Sequence, residues 1–224
     1  MKKATPKRVP TRPKAAKSSP PILTIGHSTR TLESFIALLQ AHRVSLVADV
    51  RTIPRSRRCP QFNAASLPKS LKKAGIGYIH LAGLGGLRHT SRASVNMGWH
   101  NASFRGFADY MQTPEFEQAL AELMELARRE RLALMCAEAV PWRCHRSLIA
   151  DALLVRGLRV EHITSLAASR PHKLTPFAKV SGLRLIYPPP SGECPIALQD
   201  KKPDGPRTEA EHRLLYSGRA NDHG

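Results

Sequence analysis

Short apolar runs alternate with amphipathic stretches through the middle of the chain. ILTIGHS (22–28), SLVADVR (45–51), YIHLAGLGG (78–86), RLALMCAE (131–138) and RVEHIT (159–164) have the length of strands and are apolar on both sides of the backbone. Between them, TLESFIALLQAH (31–42) sets Leu32, Phe35, Ile36 and Leu39 on one helical face, with Thr31 placed to cap it. AASLPKSLKKAG (64–75) reads as a short helix closed by Gly75. FADYMQTPEFEQALAELMELARRE (107–130) reads as a helix broken at Thr113–Pro114, where Thr113 caps and Pro114 takes the first helical position. RCHRSLIADALLVRG (143–157) reads as a helix closed by Gly157, and residues 87–105 have no clear period.

Regular strand–helix alternation predicts an α/β fold: a Rossmann-like three-layer α/β/α arrangement around a mostly parallel sheet of about five strands. In such folds ligands bind beyond the carboxyl ends of the strands, where the strand order reverses. A strand order of 3-2-1-4-5 is expected, which sets Gly26-His27-Ser28 beside Cys136-Ala137-Glu138.

Composition adds two tails. Residues 1–19 hold seven lysines and arginines, no acid and almost nothing to bury, and read as a disordered basic tail. Residues 189–224 read as a flexible C-terminal tail with a short helix near 208–216, which leaves a single domain at 20–188. The formal net charge is +18, and the stretch 20–186 alone carries 23 basic against 11 acidic residues. A positive field of that size attracts anions, so an anionic small molecule is one expected partner and nucleic acid, held by the basic core and tail, is another. No apolar run approaches the roughly 18 residues of a membrane span, and no apolar segment follows the basic N-terminus as in a signal peptide. A cytoplasmic location without membrane contact is therefore expected. The four cysteines (Cys59, Cys136, Cys144 and Cys194) contain no CxxC pair, so free thiols and no metal site are expected.

Polar residues collect at one end of the predicted sheet. His27, Ser28 and Arg30 follow the first strand; Asp49, Arg51, Arg55, Ser56, Arg57 and Arg58 end the second. Gly85, Gly86 and Arg88 follow the third, and Cys136, Glu138, Arg143, Cys144, His145 and Arg146 follow the fourth. The last group is unusual, because three cationic or basic side chains stand where a helix begins and the helix dipole is already positive. His145 lies three before Leu148 and four before Ile149, which puts it on the buried stripe and over the strand ends. The compensating negative charge is either Glu138, as a structural salt bridge, or an anionic ligand on the free N–H groups of the helix start. Asp49, Glu138 and His145 are the acid/base candidates, with Cys136 a weaker candidate nucleophile, since C-x6-R in a glycine-free loop departs from the usual phosphatase spacing. His27, Ser28, Arg51, Arg57, Arg105, Arg143 and Arg146 are the anion-binding candidates. Asp49 has a plainer alternative role as an internal partner for an arginine. A Cys144/His145 metal site joined by His27 is disfavoured, because adjacent ligands seldom reach one ion.

TIGHSTRTLESFIALL, DVRTIPRSRRCPQFN, YIHLAGLGGLR, GWHNASFRGFADYM, CAEAVPWRCHRSLIADALL and TPFAKVSGLRLIYP resemble, in order and from about residue 22 to 188, the DUF488 family, an uncharacterised bacterial and archaeal family. The resemblance implies an α/β fold and brings no established reaction or cofactor. It also implies that GWHNASFRG is an ordered loop, in which Trp99, Asn101, Phe104 and Arg105 either form a lid over the strand ends or pack a hydrophobic patch. Residues and resemblance together lead to an enzyme or binding protein for a phosphate-bearing or nucleotide-like anion, with hydrolase or glycosyl-transfer chemistry if it is an enzyme. A nucleic-acid-binding or regulatory module is the alternative.

Overall fold

The computed structural model describes residues 20–190. The notional helix at 208–216, Cys194 and both tails lie outside the described residues. The elements run β1 (Ile22–Gly26), α1 (Leu32–Ala41), β2 (Leu46–Asp49), α2 (Leu67–Lys73), β3 (Gly77–His80), α3 (Ala102–Tyr110), α4 (Pro114–Arg129), β4 (Leu132–Cys136), α5 (Arg146–Val155) and β5 (Val160–Ile163), followed by three short strands, β6 (Ser169–Pro171), β7 (Lys179–Ser181) and β8 (Arg184–Ile186).

The predicted punctuation is present. Thr31 accepts a hydrogen bond from the Ser34 N–H at 3.2 Å, and Thr113 caps α4 with Pro114 at its first turn. Gly75 and Gly157 close α2 and α5 with φ of 74° and 76°, a left-handed geometry that glycine adopts without a Cβ clash.

The sheet order is β3-β2-β4-β1-β5-β6, with all neighbours parallel except the β5–β6 pair. This corrects the expected 3-2-1-4-5: β4, not β1, pairs with β2, and β1 pairs with β5. The contact that matters survives the exchange, since Gly26 stands in register with Cys136. Period-2 alternation then sorts the core. Leu132, Leu134 and Cys136 of β4 face one side with α3, α4 and α5, while Ala133 and Met135 face the other with α1 and α2. The result is a Rossmann-like three-layer α/β/α fold with a six-stranded, mostly parallel sheet. β1 and β4 are buried along their whole length, whereas β3, at the sheet edge, is not.

From β1 the chain leaves to α1 on one face; from the adjacent β4 it leaves to α5 on the other. The two loops diverge between β1 and β4, which makes that pair the switch point. Gly26 is required there, because a Cβ on it would lie 1.8 Å from the Glu138 carbonyl oxygen.

Candidate functional site

A cleft of about 400 Å³ opens over the carboxyl ends of β1, β2 and β4. The loop after β1 contributes His27. Arg51, Arg55 and Ser56 come from the loop after β2, Gly86 from that after β3, Ser103 and Phe104 from the start of α3, and Cys136, Glu138, Arg143, Cys144 and His145 from the end of β4 and its loop. Sequence reasoning had placed most of these at this edge. It weighed Cys144 only as half of a disfavoured Cys144/His145 metal site and gave no weight to Ser103. The signal for Cys144 was present, in a thiol directly before His145 in the same loop.

Arg51 is held from below. Its Nη2 donates to Asp49 at 2.6 Å and to the Phe62 carbonyl at 2.7 Å, its Nε donates to Asp49 at 2.9 Å, and Nη1 meets His27 Nε2 at 3.3 Å. Asp49 is fully buried and also accepts from the Tyr78 hydroxyl at 2.8 Å. Burial and the Asp49 charge push the Tyr78 hydroxyl up, which keeps it a donor. Asp49 is therefore the internal partner of Arg51, not a free acid or base in the cleft. Arg51 shows the cleft only the edge of its guanidinium. His27 is also buried. Its Nδ1 donates to the Ser28 carbonyl at 2.9 Å and its ring stacks on Phe62 at 4.4 Å. Burial lowers its pKa, so the ring is neutral, and Nε2 accepts from Arg51. Ser28 has a φ of 49° and supplies its backbone, not its hydroxyl, to this arrangement.

Arg146 is the largest departure from expectation. It is 1% exposed and does not line the cleft. Its Nη2 donates to the Glu138 backbone carbonyl at 2.6 Å, Nη1 to Thr24 Oγ1 at 3.3 Å, and Nε to Cys144 Sγ at 3.4 Å. It is a structural cation beneath the site, not an arm for an external anion. The Glu138 carboxylate is exposed and makes no ion pair among the described residues. The charge that compensates Arg146 is thus neither of the two expected sources. One part is the Cys144 sulfur, which accepts from Arg146 at 3.4 Å and lies within 4.8 Å of the Cys136 sulfur. These contacts lower the Cys144 pKa, and the paired Cys136 thiol is pushed up. The other part arrives through a buried relay. Thr24 Oγ1 donates to His162 Nδ1 at 2.7 Å, His162 Nε2 meets His172 Nδ1 at 3.0 Å, and His172 Nε2 meets Asp151 Oδ1 at 2.8 Å. The chain of donors runs from Arg146 to Asp151, which assigns both histidine tautomers. Thr175 and the Tyr187 hydroxyl complete the shell of Asp151 at 2.6 and 2.9 Å.

His145 reaches the strand ends as its helical phase predicts, with Nε2 2.9 Å from the Val50 carbonyl oxygen. The helix begins later than the sequence suggests. Pro141–Arg143 form a single 3-10 turn, Cys144 is extended at φ −138° and ψ 141°, and His145 is already helical at φ −55° and ψ −14°. That change of conformation between neighbours turns both side chains to the same side, and His145 Nδ1 lies 3.7 Å from Cys144 Sγ. Gly86 lies flat against the ring, since a Cβ there would be 2.4 Å from Nδ1.

Besides Ser28 and Arg146, two anion candidates, Arg57 and Arg105, fall outside the cleft lining. Arg57 is exposed on the loop after β2, and Arg105 contacts the Met97 sulfur at 3.7 Å. In the 87–105 segment, Asn101 caps α3 by accepting from the Ser103 and Phe104 N–H groups, and Trp99 packs on Phe104, Phe177 and Tyr187. The segment is therefore mainly a packed patch whose edge, at Ser103 and Phe104, reaches the cleft.

The fold and cleft together define an α/β protein with a polar site at the switch point of its sheet. The chain belongs to the DUF488 family: the model of the domain of unknown function DUF488 matches residues 31–153. No curated protein and no solved structure matches the chain. Among the described residues no helix is long and apolar enough to cross a membrane.

Proposed function

We propose that the chain binds a phosphate-bearing or nucleotide-like anionic small molecule in the cleft at the carboxyl edge of the sheet. The supporting observation is that Arg55 and Arg143, both exposed, line a cleft of about 400 Å³ in which Glu138 is the sole lining carboxylate among the described residues. A cleft of that size suits a mononucleotide, and two guanidinium forks at its mouth match the oxygens of a phosphate. Arg51, locked by Asp49, lines the cleft as part of a neutral ion pair and leaves anion binding to Arg55 and Arg143. The proton-carrying groups beside such a ligand are Glu138 and His145, the pair that hydrolysis or glycosyl transfer would use.

Calorimetric titration with inorganic phosphate and with a nucleoside monophosphate tests this. Saturable binding at one site is expected, with Arg143→Ala and Arg55→Ala each weakening it by about tenfold, the equivalent of roughly 1.4 kcal/mol per lost charged contact. No binding of either probe by folded protein, or binding by both variants as tight as that of the wild type, refutes it. Tighter binding of an oligonucleotide, with affinity falling steeply with salt and unaffected by the two substitutions, would favour the nucleic-acid reading instead.

A further inference from the structure

Cys136 Sγ, Cys144 Sγ and His145 Nδ1 all lie within 4.8 Å of one another at the floor of the cleft. They come from two pieces of backbone: the end of the buried strand β4 and the turn before α5. We propose that these three atoms form a site for a thiophilic divalent cation of the zinc class, with a fourth coordination position open to the cleft. The inference stands apart from anion binding by Arg55 and Arg143, but a metal on His145 Nδ1 removes His145 from the proton-carrying pair and leaves Glu138 alone in that role.

The spacing fits before any side chain moves far. A tetrahedral zinc with Zn–S of about 2.3 Å and Zn–N of about 2.0–2.1 Å keeps its ligands roughly 3.5–3.8 Å apart. Cys144 Sγ and His145 Nδ1 are 3.7 Å apart. The outer contacts are those that metal ligands need. His145 Nε2 carries its proton toward the Val50 carbonyl, 2.9 Å away, which leaves the lone pair on Nδ1, the nitrogen that faces the sulfur. Cys144 Sγ accepts from Arg146 Nε at 3.4 Å, a bond that orients a thiolate and stabilises its charge. The sequence objection was that adjacent ligands seldom reach one ion. The extended Cys144 followed by helical His145 removes it.

Three protein ligands with the fourth position facing a cleft is the pattern of a catalytic rather than a structural zinc. Charge narrows what that position takes. Two thiolates balance a divalent cation, and the Arg146 guanidinium that donates to Cys144 favours a hydroxide or an anionic oxygen as the fourth ligand. Cys59, also buried, takes no part, because its Sγ donates to the Ser28 carbonyl at 3.4 Å.

The test uses the full chain, stripped with a chelator and dialysed, with cobalt(II) and zinc(II) as probes. One equivalent of cobalt is expected to bind with thiolate-to-metal charge-transfer absorption and the intense visible bands of a tetrahedral ion. One equivalent of zinc should protect Cys136 and Cys144, and not Cys59, from alkylation mapped by mass. Cys136→Ser and Cys144→Ser should each weaken binding by more than about 100-fold, beyond the 10–100-fold of an outer contact. Should a cysteine variant fail to fold, Gly86→Ala, whose methyl meets the His145 ring at Nδ1 first, should still weaken cobalt binding. Absence of stoichiometric binding by folded wild-type protein, alkylation unchanged by zinc, or cobalt binding that survives in the Cys136→Ser/Cys144→Ser double variant would each overturn the proposal.

Discussion

His162 is predicted to make the fold acid-sensitive in a defined window. Its ring is buried between Thr24 on β1, His172 after β6 and, beyond Thr24, the Arg146 guanidinium; Asp151 stands at the far side of His172. Burial first, with electrostatic contributions from the neighbouring His172 and Arg146, pushes its pKa down from 6.5 to about 4. The folded state therefore binds fewer protons than the unfolded chain between those two values. Stability rises with pH across the window and is lost as pH falls through it, with the loss complete below about pH 4. For a single group with these two values the loss between pH 7.5 and pH 5 is about 2 kcal/mol, and allowing for partial solvent screening brings it to roughly 1–2 kcal/mol. Geometry gives the reason: both ring nitrogens are committed, Nδ1 accepting from Thr24 and Nε2 donating to His172, so a second proton has no acceptor to meet. Urea unfolding at pH 7.5, 6 and 5 measures the effect, with His162→Gln as the non-titrating comparison. The variant is expected to be less stable at pH 7.5 yet to lose about 1–2 kcal/mol less than wild type on going to pH 5. Carboxylates that titrate in both proteins cancel in that difference. Wild-type and variant profiles that run parallel within about 0.5 kcal/mol would sink the argument, because the pH dependence would then reside elsewhere.

Asp49→Ala should destabilise by about 3–5 kcal/mol in the same urea assay, since it leaves the buried Arg51 guanidinium without its carboxylate; a loss under about 1 kcal/mol would show that Arg51 finds solvent or another partner. Gly26→Ala should prevent native folding or lower the melting temperature by more than 10 °C, because its methyl would overlap the Glu138 carbonyl oxygen that Arg146 holds. A melt within a few degrees of wild type would refute the close approach of the β1 and β4 loops.

The elements were legible because each rests on local physics. The strands from β1 to β5 and the helices α1, α2, α4 and α5 follow from apolar period and from caps such as Thr31, Thr113 and Gly157, all properties of neighbouring residues, whereas α3 starts at Ala102, inside the stretch 87–105 that shows no clear period and five residues before the expected helix start at 107. The edge bearing the site was legible too, since chain direction alone puts His27, Arg51, Cys136 and His145 at strand ends. Strand order was not. Whether β1 or β4 sits beside β2 depends on how two apolar strands of equal length share a sheet, and both orders bury the same surface. The short strands β6, β7 and β8 carry too few apolar residues to show a period.

Side-chain assignments within the site divide in the same way. The inward turn of His145 was readable from its spacing to Leu148 and Ile149. The fate of Arg146 was not, because its partners, Thr24 and the Glu138 carbonyl, come from segments distant in sequence or from the backbone. Asp49 and Glu138 look alike as acids at strand ends, yet packing buries one against Arg51 and leaves the other in solvent. Nor does any sequence pattern state that Cys144 and His145 face the same way as Cys136: a single extended residue ahead of the α5 helix decides it. Sequence thus determined the elements, their caps and the edge where chemistry gathers, because those depend on neighbours along the chain. The tertiary structure alone decided which charges are spent inside the fold and which are left exposed, because that depends on which polar atoms distant segments bring within hydrogen-bonding reach.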